Sequence, residues 1–180
     1  RVLHIGDSMA GALGIELNRQ LREQGVKGTL RFETSSFIPT WAWGDTLPQA
    51  LGQYDPDLVI ITLGMNELKI EDPAQRAKTI RRLVDRIGDR PCVWISPPPL
   101  ASGTNDLVTV IRENCAPCAF MNTDEVYPDM PRLGEKIHPT VPARAEWARR
   151  VIAWLAERRE PAGDKPWAFR PGVVVPRAEP

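Results

Sequence analysis

Residues 58–67 read Leu58-Val59-Ile60-Ile61-Thr62-Leu63-Gly64-Met65-Asn66-Glu67. Five of the first six side chains are apolar, four of those six are β-branched and Thr62 alone is polar, so the run predicts a strand. A half-exposed strand would alternate apolar with polar. Continuous apolarity implies burial on both faces, the condition of a strand inside a parallel sheet. In an open parallel sheet, ligands collect beyond the carboxyl ends of the strands. A functional residue is therefore expected just after Leu63, where Gly64, Met65 and Asn66 stand.

Working outward, four further segments read as strands: Val2 to Ile5, Thr29 to Glu33, Cys92 to Ser96 and Ala119 to Asn122. Helices are expected between them. Leu13, Leu17 and Leu21 recur at helical spacing before Gly25, and Leu47 to Tyr54 is a short helix. Pro73 opens a helix with the stripe Ile80, Leu83, Val84 and Ile87; Asn105 to Asn114 is the next; Ala148, Val151, Ile152 and Leu155 mark the last. Thr34 to Thr46 and Thr123 to Pro142 read as loops, and the arginine pairs 81–82, 149–150 and 158–159 as solvated helix faces. This alternation predicts an α/β fold: a three-layer α/β/α sandwich with a mostly parallel, five-stranded, flavodoxin-like sheet. Residues 1–160 form the expected domain. Residues 161–180, rich in proline and charge, read as a tail or linker. The chain shows no internal repeat.

With 180 residues, 23 of them Lys or Arg and 23 Asp or Glu, the balanced charge argues against a nucleic-acid partner. No segment is long and apolar enough to span a membrane. The absence of an initiator Met reads as an excised or processed domain. Cys115 and Cys118 form a Cys-Ala-Pro-Cys pair, expected as a local disulfide or as two free thiols, with Cys92 alone. A disulfide there favours an exported protein. Two cysteines and two distant histidines do not make a zinc ligand set.

Three polar stretches follow the first three strands: Gly6-Asp7-Ser8, Thr34-Ser35-Ser36 and Gly64-Met65-Asn66-Glu67. A fourth, Glu135-Lys136-Ile137-His138-Pro139, lies in the long loop after the fifth strand. Ser8 is an N-cap or a nucleophile; its own neighbours do not decide, because Asp and Ser are ordinary cap residues. A nucleophilic serine needs a base. His4 lies inside the first strand, so His138 is the remaining base, and Glu135 is placed to orient it. Asn66 can donate an amide N–H to an oxyanion. Asp7 reads as a turn residue. Glu67 either points to solvent or supports its loop. Trp41 and Trp43 either wall a substrate pocket, together with Gly64, or close the core.

These blocks resemble the SGNH (GDSL-like) hydrolases, named for Ser, Gly, Asn and His in separate sequence blocks. Gly6-Asp7-Ser8 matches the first block, Gly64-Met65-Asn66 the third and Glu135-x-x-His138-Pro139 the last, with Glu in place of the usual Asp at 67 and 135. The second block departs, since the usual Gly is missing and Ser36 or Ser35 is the positional match for its backbone donor. The resemblance spans Arg1 to about Glu160. It implies a serine esterase acting on a small acyl ester, an acetyl group on a carbohydrate being favoured. Ser8 would be the nucleophile, His138 the base and Glu135 its orienter; Ser8, Ser36 and Asn66 would form the oxyanion hole. No metal or other cofactor is called for. An O-acyltransferase using the same residues, or a glycan-binding domain without turnover, are the alternatives.

Overall fold

The computed structural model describes residues 1–101 and 104–177. Five strands, β1 (Val2–Gly6), β2 (Gly28–Phe32), β3 (Leu58–Thr62), β4 (Cys92–Ile95) and β5 (Ala119–Met121), form one sheet in the order β2-β1-β3-β4-β5. Every pairing is parallel. β1, β3 and β4 are buried at every position, as the apolar run at 58–63 implies.

The helices are α1 (Ser8–Glu23), α2 (Ile38–Trp43), α3 (Thr46–Tyr54), α4 (Ala77–Asp85), α5 (Asp106–Asn114), α6 (Thr123–Val126) and α7 (Val141–Arg158). α1 packs on α7, while α4 packs on α2 and α5, so the sheet lies between two helical layers. Two expected loops contain helix. α2 arises inside 34–46, where Pro39 at the first turn and an N-cap at Phe37 start a helix too short to show a period. α6 arises at Thr123, capped by the Asn122 side chain. The helix expected from Pro73 begins as a 3₁₀ turn, Pro73–Arg76, before α4.

The solvated reading of the arginine pairs is corrected: Arg81 donates to Asn114 Oδ1 at 2.7 Å, Arg158 lies over the Trp154 ring, and Arg82 and Arg150 reach main-chain carbonyls. Arg82 donates to the Ala42 carbonyl and lies 3.8 Å over the Trp43 ring; Arg150 donates to the Val126 carbonyl at 2.8 Å. Both join separate elements, with their stems on the protein and their charge at carbonyl oxygens. Arg86 does the same at the end of α2, reaching the carbonyls of Ala42 and Gly44 at 2.7 and 2.8 Å.

The cysteine expectation is also corrected. The disulfide joins Cys92 to Cys118, and Cys115 is the free thiol among the described residues. The register explains it. Val93 pairs with Ala119, so the residues just before them face each other across the starts of β4 and β5. Burial pushes the Cys115 thiol up to about 12, which leaves it protonated and unreactive at neutral pH.

Residues 161–177 lie against the domain. Trp167, Phe169, Val173 and Val174 pack on its core, and Arg159 bridges to Phe169. Trp154 meets Phe169 edge-on, with ring centroids 6.3 Å apart.

His4 is a packed strand residue, fully buried, with Nε2 2.8 Å from Thr62 Oγ1. Burial pulls its pKa from 6.5 down to about 3, because a charged imidazole there would lose its hydration. The unfolded chain takes up that proton near pH 6.5 and the folded chain only near 3. The stability this group contributes is therefore present above pH 6.5 and is lost as pH falls toward 3. Asp7, whose carboxyl is raised, opposes this between about pH 4 and 6. The comparison with a variant isolates His4. Relative to His4→Asn, the wild type is expected to lose about 1.4 kcal/mol of stability per pH unit across that range. Urea unfolding at several pH values checks it; parallel curves for the two proteins would contradict the assignment.

Candidate active site

The site stands at the carboxyl ends of β1 and β3. Gly6, at φ +151°, ends β1 against the backbone of Thr62. The chain turns there, and the Asp7 amide donates to the Thr62 carbonyl at 3.2 Å. Asp7 is the N-cap of α1: its Oδ1 accepts from the Met9 amide at 2.8 Å. Its Oδ2 accepts from the amides of Gly64 and Met65, each at 3.2 Å. One buried carboxyl thus fastens the turn before Ser8 to the turn before Asn66. Burial raises this carboxyl to about 6, against the pull of the three amide donors.

Ser8 is the first residue of α1, where a backbone N–H has no partner within the helix. Ser8 Oγ lies 2.9 Å from His138 Nε2. On the other side of the ring, His138 Nδ1 lies 2.8 Å from Glu135 Oε1, and the His138 backbone amide donates to the same oxygen at 2.9 Å. These bonds, His138's backbone amide first, hold the Glu135 carboxyl below its ordinary pKa. A carboxylate there only accepts, so Nδ1 carries the proton and Nε2 is free to accept from the Ser8 hydroxyl.

Asn66 sits in a 3₁₀ turn, Met65–Glu67, set up by Gly64 at φ +119°. Its Nδ2 donates to the Ser36 carbonyl at 2.9 Å, and its second N–H remains. Glu67 supports its loop rather than pointing to solvent. Its side chain is fully buried; Oε2 accepts from the Ile38 amide at 2.7 Å, and Oε1 pairs with Arg76. The segment after β2 is therefore held by Asn66 and Glu67 together. Arg76 gave no sequence signal, because a separation of nine positions from Glu67 matches no helical or strand spacing.

Three expected roles are corrected. The Ser36 amide donates to the Glu33 carbonyl at 3.1 Å, closing a turn with Ser35 at φ +62°. Its N–H is spent in that turn, and Ser36 contributes its carbonyl to Asn66 instead. Trp41 is 2% exposed and donates its Nε1 to Ser36 Oγ at 2.9 Å, so it closes the core rather than walling a pocket. The Gly64 amide is taken by Asp7, so its N–H is not free for a substrate. Trp43 is 62% exposed, with Arg82 over its ring.

Among the described residues, no helix is long and apolar enough to cross a membrane. Solved structures share this fold over most of their length. TesA superposes with a TM-score of 0.69 at 19% identity, covering 87% of this chain and 98% of its own. A lipase/acylhydrolase from Enterococcus faecalis gives 0.68 at 17% identity over 91% and 99% of the two chains. The acetyl xylan esterase AlAXEase gives 0.68 at 13% identity over 86% and 98%. The fold is that of the SGNH (GDSL-like) hydrolases. Comparison with curated proteins returns no match. One family model, described as "Protein of unknown function (DUF459)", matches residues 1–113, and with well over half of its length so matched the chain belongs to the DUF459 family.

Proposed function

We propose that the protein is a serine esterase that hydrolyses a small acyl ester through an acyl-Ser8 intermediate. The observation that carries this reading is the unbroken chain from Ser8 Oγ to His138 Nε2, at 2.9 Å, and from Nδ1 to Glu135 Oε1, at 2.8 Å. Ser8 Oγ attacks the ester carbonyl and its proton passes to His138 Nε2. Glu135 stabilises the imidazolium. The carbonyl oxygen, now negative, is held by the Ser8 N–H at the start of α1 and by the remaining N–H of Asn66. With the Ser36 N–H spent, these two donors form the hole. Collapse breaks the bond to the leaving alcohol, which takes the proton from His138. Water repeats the sequence in reverse, releasing the acid and freeing Ser8.

An acetyl group on a carbohydrate is the proposed substrate class. The likeness in fold to a protein titled acetyl xylan esterase supports it, as does the exposure of Trp43, an aromatic surface of the kind that contacts sugars. The burial of Trp41 removes one such surface.

A fluorophosphonate probe tests the nucleophile. The wild type is expected to be labelled and Ser8→Ala to stay unlabelled. Equal labelling of the two would overturn the reading. Glu135→Gln tests the orienter. Its amide can present N–H where the imidazole N–H must be accepted, so hydrolysis is expected to slow about 100-fold or more. Steady-state rates on 4-nitrophenyl acetate check it; a loss under threefold would remove Glu135 from the triad.

A further inference from the structure

His138 stands on a long connection between α6 and α7, well past the end of β5 along the chain. Its placement depends on how that connection is held. Residues 131–140 fold on themselves: the Leu133 amide donates to the His138 carbonyl at 2.8 Å and the Thr140 amide to the Pro131 carbonyl at 3.0 Å. A turn at Lys136, φ +64°, closes the tip. These bonds are internal to the loop. They shape it but do not fix it to the domain.

Two arginines tie it down: Arg144 of α7 donates its Nε to the Pro139 carbonyl at 3.1 Å, and Arg132 inside the loop reaches a separate part of the domain. Arg132 Nη1 donates to the Ile137 carbonyl at 2.9 Å, one residue before His138. Its Nε donates to the Met130 carbonyl at 3.2 Å. Its Nη2 donates to the Pro99 carbonyl at 2.9 Å, in the segment that follows β4. The guanidinium thus spans both arms of the loop and a separate part of the domain. All three acceptors are main-chain carbonyls, which do not rotate away as a carboxylate side chain would. Its planar fork suits three fixed acceptors in a way a lysine ammonium does not. Prolines at 97–99 stiffen the anchor.

We propose that Arg132 is a positioning residue that holds His138 within bonding distance of Ser8 by fastening the histidine loop to the Pro99 carbonyl. The proposal rests on the reading of Ser8 and His138 as nucleophile and base. Arg132 touches neither reacting atom. It acts through Ile137 and the loop backbone.

The test uses Arg132→Met and Arg132→Lys, with two readouts. In steady-state hydrolysis, kcat is expected to fall about 10- to 100-fold in Arg132→Met, because a displacement near 1 Å costs that much. KM is expected to stay within about threefold, since no substrate contact is removed. Arg132→Lys, restoring the charge and at most part of the fork, is expected to recover kcat only in part. The second readout does not need turnover. The chain has two histidines, so NMR of imidazole N–H groups separates them. The His138 Nδ1–H signal, bonded to Glu135 in the wild type, is expected to be lost to exchange in Arg132→Met. The His4 signal, buried in β1, is expected to persist.

Unchanged kcat and an unchanged His138 signal in Arg132→Met would overturn the proposal. So would joint loss of both histidine signals in the two variants, which would make Arg132 a residue of the fold at large. A wild type with no Ser8-dependent turnover but with a His138 signal that responds to Arg132 would refute the esterase reading and leave the positioning intact.

Discussion

Ser8→Ala is expected to reduce hydrolysis of 4-nitrophenyl acetate by at least about 10³-fold in kcat, with KM little changed. In the proposed mechanism the serine oxygen is the atom that bonds to carbon, so its loss removes the covalent route. What remains is water attack assisted by the two oxyanion donors. His138→Ala is expected to cost about as much, since an unactivated hydroxyl is a poor nucleophile near neutral pH. The two losses should not add. A Ser8→Ala/His138→Ala double variant is expected to match the single variants, because both act on one proton transfer. The measurement is a set of steady-state rates on the four proteins, folded to the same extent by circular dichroism. Retention of a tenth of the activity in Ser8→Ala would place the chemistry elsewhere. Full additivity in the double variant would show that Ser8 and His138 do not work as a unit, whatever the 2.9 Å between them.

Gly6→Ala is expected to abolish folding at ordinary temperatures. A Cβ at Gly6 would fall 1.8 Å from the Thr62 carbonyl oxygen and 2.9 Å from Ala10 Cβ, at φ +151°. The obstacle is the backbone of a fully buried neighbouring strand, which has nowhere to move. Separating β1 from β3 would also break the bond from the Asp7 amide to Thr62 and draw the Asp7 carboxyl from the amides of Gly64 and Met65. The combined cost is expected to exceed about 4 kcal/mol, the range reserved for core disruption. Gly88→Ala is the control. Gly88 also has positive φ, +71°, but a Cβ there meets nothing within 4 Å. That variant is expected to fold with a loss of about 1–2 kcal/mol. Soluble yield and urea unfolding compare them. A Gly6→Ala protein as stable as the Gly88→Ala control would refute the close approach of β1 to β3.

The meeting of Ser8 with His138 was readable because the chain offers few alternatives. Strands buried on both faces announce themselves by composition, and a parallel sheet sends its ligands to one end. With two histidines, one of them mid-strand, His138 was the remaining candidate for a base. What the sequence hid depends on distances between segments. The Ser36 N–H was assigned by position along the chain, and nothing in Thr34-Ser35-Ser36 shows that it closes a turn onto Glu33. Glu67 stood open between solvent and its loop; its burial needs α2, a six-residue helix with no legible period. Cys92 looked solitary until the order of β4 and β5 placed it beside Cys118. Arg132 carries no motif, because its acceptors are carbonyls that every residue has.

The disulfide has a reach beyond the two strands it joins. Cys92 and Cys118 are 26 residues apart, so the bond closes a covalent ring at the end of the sheet remote from Ser8. A closure of that length restricts the unfolded chain by about 3–4 kcal/mol in the chain-entropy account. The ring holds β4, α5 and Pro99, the outside anchor of Arg132. The cysteine pair therefore works as a hoop around the mount of the histidine loop. An oxidising or reducing compartment would set how firmly that mount is held, with no thiol near the reacting atoms.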